Sequence, residues 1–224
     1  MARELFTKHL LEVEVELSKM CDLVVRAIVK SLEVMKSGNL DEARQIVQDD
    51  LLINKKRWEI EEKCIGLIST QQPVAKDLRI LITFFNIISE LERMGDHAKG
   101  IAKLIIKLSK HPLLNPVEDI GTMVEKCVAM TQKSLEAFRK RDIPMAEAVC
   151  QADHEVDELY DKVYHELLQH MIQDPTTIKS ATYLLRVAHH LERIADRDTN
   201  ICERIIFLVH GHVKETKDTN VTTY

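Results

Sequence analysis

The chain has 224 residues, with 31 lysines and arginines against 36 aspartates and glutamates, a formal charge of −5. That balance gives none of the basic excess of a nucleic-acid binder, and a composition 45% hydrophobic and 30% charged excludes a disordered tail. Six glycines and five prolines are well below the roughly 12% of residues that is usual. With aromatics at 4%, they argue against a sandwich, a barrel or a doubly wound sheet and for long helices.

The breakers set the predicted elements in chain order. A first helix over 3–37 ends at Ser37-Gly38-Asn39, where Gly38 suits the left-handed position after a helix and Asn39 caps the next one. A second runs over 40–70 to Gln72-Pro73, and Pro73 suits the first turn of a third helix over 74–110. The longest break, His111-Pro112 to Asn115-Pro116, falls near the middle. Helices over 117–140, 144–172 and 176–210 follow, separated at Arg141-Asp142-Ile143-Pro144 and Asp174-Pro175-Thr176. None of these segments alternates as a strand does. The polar stretch 213–224 is expected to be a mobile tail.

The most apolar stretch, Leu78 to Leu91, is broken by Arg79, Asn86 and Glu90 and is too short and too polar to span a membrane. Cys21, Cys64, Cys127, Cys150 and Cys202 are odd in number and widely spaced. A disulfide framework is therefore not expected, and a reducing, cytoplasmic setting is.

The halves repeat. Leu91-Glu92-Arg93-Met94-Gly95-Asp96 recurs 100 residues later as Leu191-Glu192-Arg193-Ile194-Ala195-Asp196. Lys30-Ser31-Leu32-Glu33 recurs 103 residues later as Lys133-Ser134-Leu135-Glu136, and Asp50 aligns at the same offset with Asp153. Two copies of a three-helix unit follow, over 1–112 and 113–212.

In the second helix of each unit a carboxylate interrupts an apolar row. Ile46, Asp50, Ile53, Arg57, Ile60, Cys64 and Leu67 step by four and three, as do Val149, Asp153, Val156, Tyr160, Val163, Leu167 and His170. A carboxylate on a packed seam must be paired, protonated or metal-bound. In the third helix Ile80, Phe84, Ile87, Leu91, Met94, Ala98, Ile101 and Ile105 form the core row, and Glu92 and Asp96 lie at its edge, four residues apart. Glu192 and Asp196 repeat that pair, and Asp153 and Asp157 make another. Each unit thus offers oxygen ligands from two facing helices, a known way to build metal sites in bundles. The donor set suits iron(III), manganese, magnesium or calcium. The competing reading pairs the same carboxylates with Arg57, Arg93 and Arg193.

Other motifs fail. His165 and His170 are five apart and point about 140° away from each other, so they are not a zinc-protease pair. No histidine follows a glutamate by three positions, so the ferritin-like di-iron signature is absent. Trp58 and Met94 are read as packing residues, and no catalytic constellation is recognisable.

Leu91-Glu92-Arg93-Met94-Gly95-Asp96-His97-Ala98 and its partner Leu191 to Asp196 resemble the two signature helices of the PhoU family, and Gln71 to Arg79 resembles that family's approach to its third helix. The resemblance spans about residues 3–211. It implies an all-α fold of two tandem three-helix bundles related by a pseudo-twofold. It also implies multinuclear clusters of iron or another oxygen-preferring metal at Asp50, Glu92, Asp96, Asp153, Asp157, Glu192 and Asp196. The implied function is non-enzymatic: negative regulation of phosphate uptake and of the phosphate-starvation response. The implied partners are the phosphate transporter's ATPase subunit, a sensor histidine kinase and a second copy of the chain, with the membrane approached only through these partners. A metal-dependent phosphate-ester hydrolase and a metal store are the alternatives. Two departures stand out: Asn54 replaces the acid kept as Asp157, and Asp198 falls on the core row as a further ligand or an arginine's partner.

Overall fold

A computed structural model describes residues 2–111, 114 and 117–211. Its helices are α1 (Ala2–Ser37), α2 (Leu40–Gln71), α3 (Lys76–Leu108), α4 (Val117–Lys140), α5 (Ile143–Gln173) and α6 (Ile178–His210), with a short 3₁₀ turn, Pro175–Thr177, before α6. Among the described residues there is no strand. At 1.5 Å per residue, α1 alone is about 54 Å long.

The turn chemistry explains the boundaries. Gly38 has φ 72° and its N–H bonds back to the Val34 carbonyl, while the Asn39 side chain accepts from the N–H groups of Asp41 and Glu42. Asp142 accepts from the Met145 N–H at 3.0 Å and starts α5. Asp174 does the same for Thr176 at 2.9 Å. Acidic Glu118 and Asp119 at the start of α4, and basic Arg139 and Lys140 at its end, complement the helix dipole.

The connection before α3 differs from expectation. Gln72 closes α2 in a left-handed conformation (φ 45°), and Ala75 also has positive φ (47°). Pro73 therefore lies in the connection, outside the first turn of α3, which begins at Lys76. Two successive excursions to positive φ turn the chain away from the α2 axis, and a helix cannot form across them. The break from Pro112 to Pro116 is largely, and the tail 213–224 wholly, outside the described residues.

The six helices form the two tandem bundles expected. α1, α2 and α3 pack on one another, as do α4, α5 and α6, and between the bundles α3 lies against α6 and α1 against α4. Each helix at that seam meets its own counterpart, as a twofold relation requires. The α3 row from Phe84 to Ile105 is buried throughout, and its counterpart on α6 includes buried Leu184, Val187, Leu191, Ile194, Ile201 and Ile205. Trp58 is a correction: it is 70% exposed. It follows Arg57 by one residue, and 100° of helix rotation carries it off the α2 seam. No described helix is long and apolar enough to cross a membrane.

Candidate functional site

In the first bundle, α2 and α3 approach closely at Gly95, where a Cβ would lie 2.8 Å from Ile53 Cδ1 and 3.7 Å from Asp50 Oδ1. Asp50 is 4% exposed and accepts from Lys99 Nζ at 2.7 Å and from Asn54 Nδ2 at 3.1 Å. The same Lys99 ammonium lies 3.2 Å from Asp96. The hydrogen bond to Asp50 is the main cause that raises the Lys99 pKa above its ordinary value. Arg57 bonds Glu61 at 2.9 Å and approaches Glu92 at 3.4 Å. Lys99 therefore joins Asp50 and Asp96, while Glu92 pairs with Arg57.

The second bundle carries a different balance. Lys99 aligns with Thr199 and Arg57 with Tyr160, while Asn54 aligns with Asp157. The two cationic positions are thus neutral, and the amide is an acid. Thr199 donates to the Asp196 carbonyl at 2.7 Å. Arg193 bonds Asp196 at 2.8 Å and lies 3.2 Å from Glu192. His189 lies 3.3 Å from Glu192, but burial and Arg193 hold its pKa below the usual range, so it is neutral at pH 7. Burial, then the charges of Asp157 and Asp196, push Asp153 up to about 7. Burial and Asp196 likewise raise Glu192. Asp153 Oδ1 is buried with no hydrogen-bond donor, and such an orphan is costly; Glu192 Oε2 also lacks a well-aligned donor, but it has the Arg193 guanidinium at 3.2 Å.

The two acidic sets therefore suit a metal unequally. Among the described residues no three ligand-type side chains already converge on one point. In the first bundle the Lys99 ammonium stands where a cation would, so the expected site at Asp50, Glu92 and Asp96 does not suit one. In the second, Arg193 pairs with Glu192 and Asp196, and the donor-less oxygen of Asp153 with its repelling acidic neighbours is what a hard cation relieves. Asp153 and Thr199 also border an open cleft of about 470 Å³.

Asp198 is neither a ligand nor an arginine's partner. It is fully buried on α6, 2.8 Å from Thr131 Oγ1 and 3.0 Å from Ser134 Oγ. Burial pushes it up to about 8, so it holds its proton at neutral pH. Each hydroxyl has a second acceptor for its single proton, Thr131 in the Cys127 carbonyl at 2.9 Å and Ser134 in the Thr131 carbonyl at 2.9 Å. The first-bundle counterparts of Asp198 and Thr131 are Ala98 and Ile28.

Sequence reasoning missed Lys99, although Asp96 and Lys99 are three residues apart on one helix and Lys99 aligns with a threonine. It also missed the seam between α3 and α6. There His97 Nδ1 meets His190 Nδ1 at 3.0 Å, and Glu90 takes Arg197 at 3.4 Å and Asn200 at 3.3 Å. At an offset of 100, His97 aligns with Arg197 and Glu90 with His190. One pseudo-symmetric contact is thus made twice, once as a histidine pair and once as an ion pair. Burial, more than any other cause, holds both histidines down at about 4.

Comparison with known proteins agrees with this duplicated architecture. The PhoU domain model matches twice, over residues 17–105 and 120–205. A phosphate-specific transport system accessory protein PhoU homolog of Clostridium acetobutylicum is 37% identical over 97% of this chain and 100% of its own length. The homolog of Aquifex aeolicus is 38% identical over 93% and 97%. The crystal structure of the phosphate transport system regulatory protein PhoU from Streptococcus pneumoniae superposes with a TM-score of 0.87 at 31% identity, covering 94% of this chain and 99% of that one. PhoU from Pseudomonas aeruginosa gives 0.87 at 30%, covering 92% and 100%. Two matches of the family model and near-complete coverage of these relatives make the chain a member of the PhoU family.

Proposed function

We propose that this chain is the accessory regulator of a phosphate-specific transport system and restrains uptake and starvation signalling by contact instead of by catalysis. Its contacts are the transporter's ATPase subunit and a sensor histidine kinase, and it acts in the cytoplasm as a homodimer built from repeats 1–112 and 113–212. The observation that carries this reading is similarity over nearly the full length to proteins named as accessories of that transport system. Affinity capture from cells grown at high phosphate tests it. Recovery of the ATPase subunit and the kinase is expected, and recovery of neither refutes it.

A hard cation belongs to this reading in the second bundle only. Asp153, Asp157, Glu192 and Asp196 would hold it, and it would supply the positive charge that Lys99 supplies in the first bundle. The buried Asp153 oxygen that has no hydrogen-bond donor supports this assignment. Elemental analysis of the purified protein, and calorimetric titration with manganese(II), test it. Binding by the parent that is lost in Thr199→Lys is expected; binding that survives Thr199→Lys but is lost in Asp96→Ala would reverse the assignment.

A further inference from the structure

The outer face of α2 has no part in the acidic set or the seam. Leu51 and Trp58 are each 70% exposed there, and Ile65 is 59% exposed. They recur every seven residues, so they form one line along the helix. Each stands two residues before a buried member of the α2 row, Ile53, Ile60 or Leu67, and two residues are about 200° of rotation. The line therefore points away from the bundle. Three large apolar side chains in one exposed line mark an interaction surface. The repeat supplies an internal contrast, since the same positions of α5 hold His154, Asp161 and Leu168. α5 packs into its bundle as α2 does, so that packing does not call for Leu51 or Trp58.

Charge identifies the occupant. Lys55 lies in the line between Leu51 and Trp58, and Glu62 lies between Trp58 and Ile65. The Lys55 side chain is 73% exposed and approaches Glu59 of its own helix at 3.9 Å. Glu62 is exposed and forms no ion pair among the described residues. In the reverse direction the line is again apolar, charged, aromatic, charged and apolar, with the two charges exchanged. A second α2 laid antiparallel on the first therefore sets Leu51 of one copy against Ile65 of the other, Trp58 against Trp58, and Lys55 beside Glu62. Parallel pairing would set Lys55 on Lys55 and Glu62 on Glu62, and like charges across an interface oppose association.

We infer that α2 packs antiparallel on α2 of a second copy of this chain, about a twofold axis at Trp58. The inference rests on the homodimer of the proposed function and gives that dimer its face. A self-complementary patch is what a twofold interface requires. From Arg44 to Gln72 the helix is about 42 Å long and 10–12 Å wide. Two such strips cover about 900 Å², in the range of weak, reversible complexes. The dimer should therefore exchange with monomer at micromolar concentration, with Trp58 as its central anchor.

The test uses the full chain and its own tryptophan, since Trp58 is the one tryptophan present. Sedimentation and fluorescence are followed together on dilution from millimolar to micromolar protein. Dimer should give way to monomer, and the Trp58 emission should shift to longer wavelength over the same concentrations. Trp58→Asp, which copies Asp161 of the second bundle, should weaken dimerisation by about 30-fold or more, as loss of an aromatic anchor does. Lys55→Glu and Glu62→Lys should each weaken it about tenfold, because two exposed pairs per dimer turn from attraction to repulsion. The two charge changes combined in one chain should restore the parent affinity. A dimer whose dissociation leaves Trp58 emission unchanged, or a combined variant no better than either single one, overturns the inference and leaves the homodimer standing on another face. A chain that stays monomeric throughout overturns both the inference and the homodimer. The unaltered protein decides between these outcomes without any variant having to fold.

Discussion

Lys99→Met is the sharpest test of the tethered cation. The lysine side chain is 27% exposed and the Asp50 side chain 4%, at 2.7 Å. Removing one partner of a fully buried pair costs about 3–5 kcal/mol, and a hydrogen bond to a charged group contributes about 1.5–3 kcal/mol. The partial exposure of Lys99 points to about 2–3 kcal/mol. For a chain of this length that is about 4–12 °C in Tm. Urea unfolding of Lys99→Met at pH 7 should show this deficit, because the buried Asp50 carboxylate would keep only the Asn54 amide as a hydrogen-bond donor. Equal stability of variant and parent would refute the reasoning, because Asp50 would then have another source of neutralisation.

The remaining predictions concern the second bundle and the seam. Thr199→Lys should stabilise the protein at pH 8 by about 1 kcal/mol, the upper range of a partly exposed ion pair, and thermal unfolding with and without manganese(II) checks this. Asp198→Asn keeps the contacts to Thr131 and Ser134 but cannot ionise. Its stability relative to the parent should rise between pH 5 and pH 9 by on the order of a few kcal/mol, because the parent alone loses stability as pH climbs towards about 8; a flat difference in urea melts would exclude a protonated Asp198. In Gly100→Ala the new methyl would stand 2.8 Å from His190 Cε1 and Nε2, and should break the His97 pair and cost about 1–3 kcal/mol. Imidazole resonances of His97 and His190 that stay unshifted in that variant would argue against the close approach.

Much of the architecture was legible in the residues. Gly38, Asn39, Asp142 and Asp174 act within a few residues of themselves, so their caps follow from local chemistry. The apolar rows on α2, α3 and α5 follow from 100° of rotation per residue, and the repeat makes one reading check the other. What a carboxylate meets does not follow in this way. Periodicity gives a side chain's direction on its own helix, but its partner depends on the register between helices and on how far a flexible stem reaches. Lys99 extends from α3 to Asp50 on α2, and His97 finds His190 across the bundle seam. Residue types and spacing established six helices, two copies and seven acidic candidates. Only tertiary packing decided that one copy carries its own ammonium between Asp50 and Asp96 while the other leaves a buried Asp153 oxygen without a donor, because pairing energy depends on distances that no linear pattern contains.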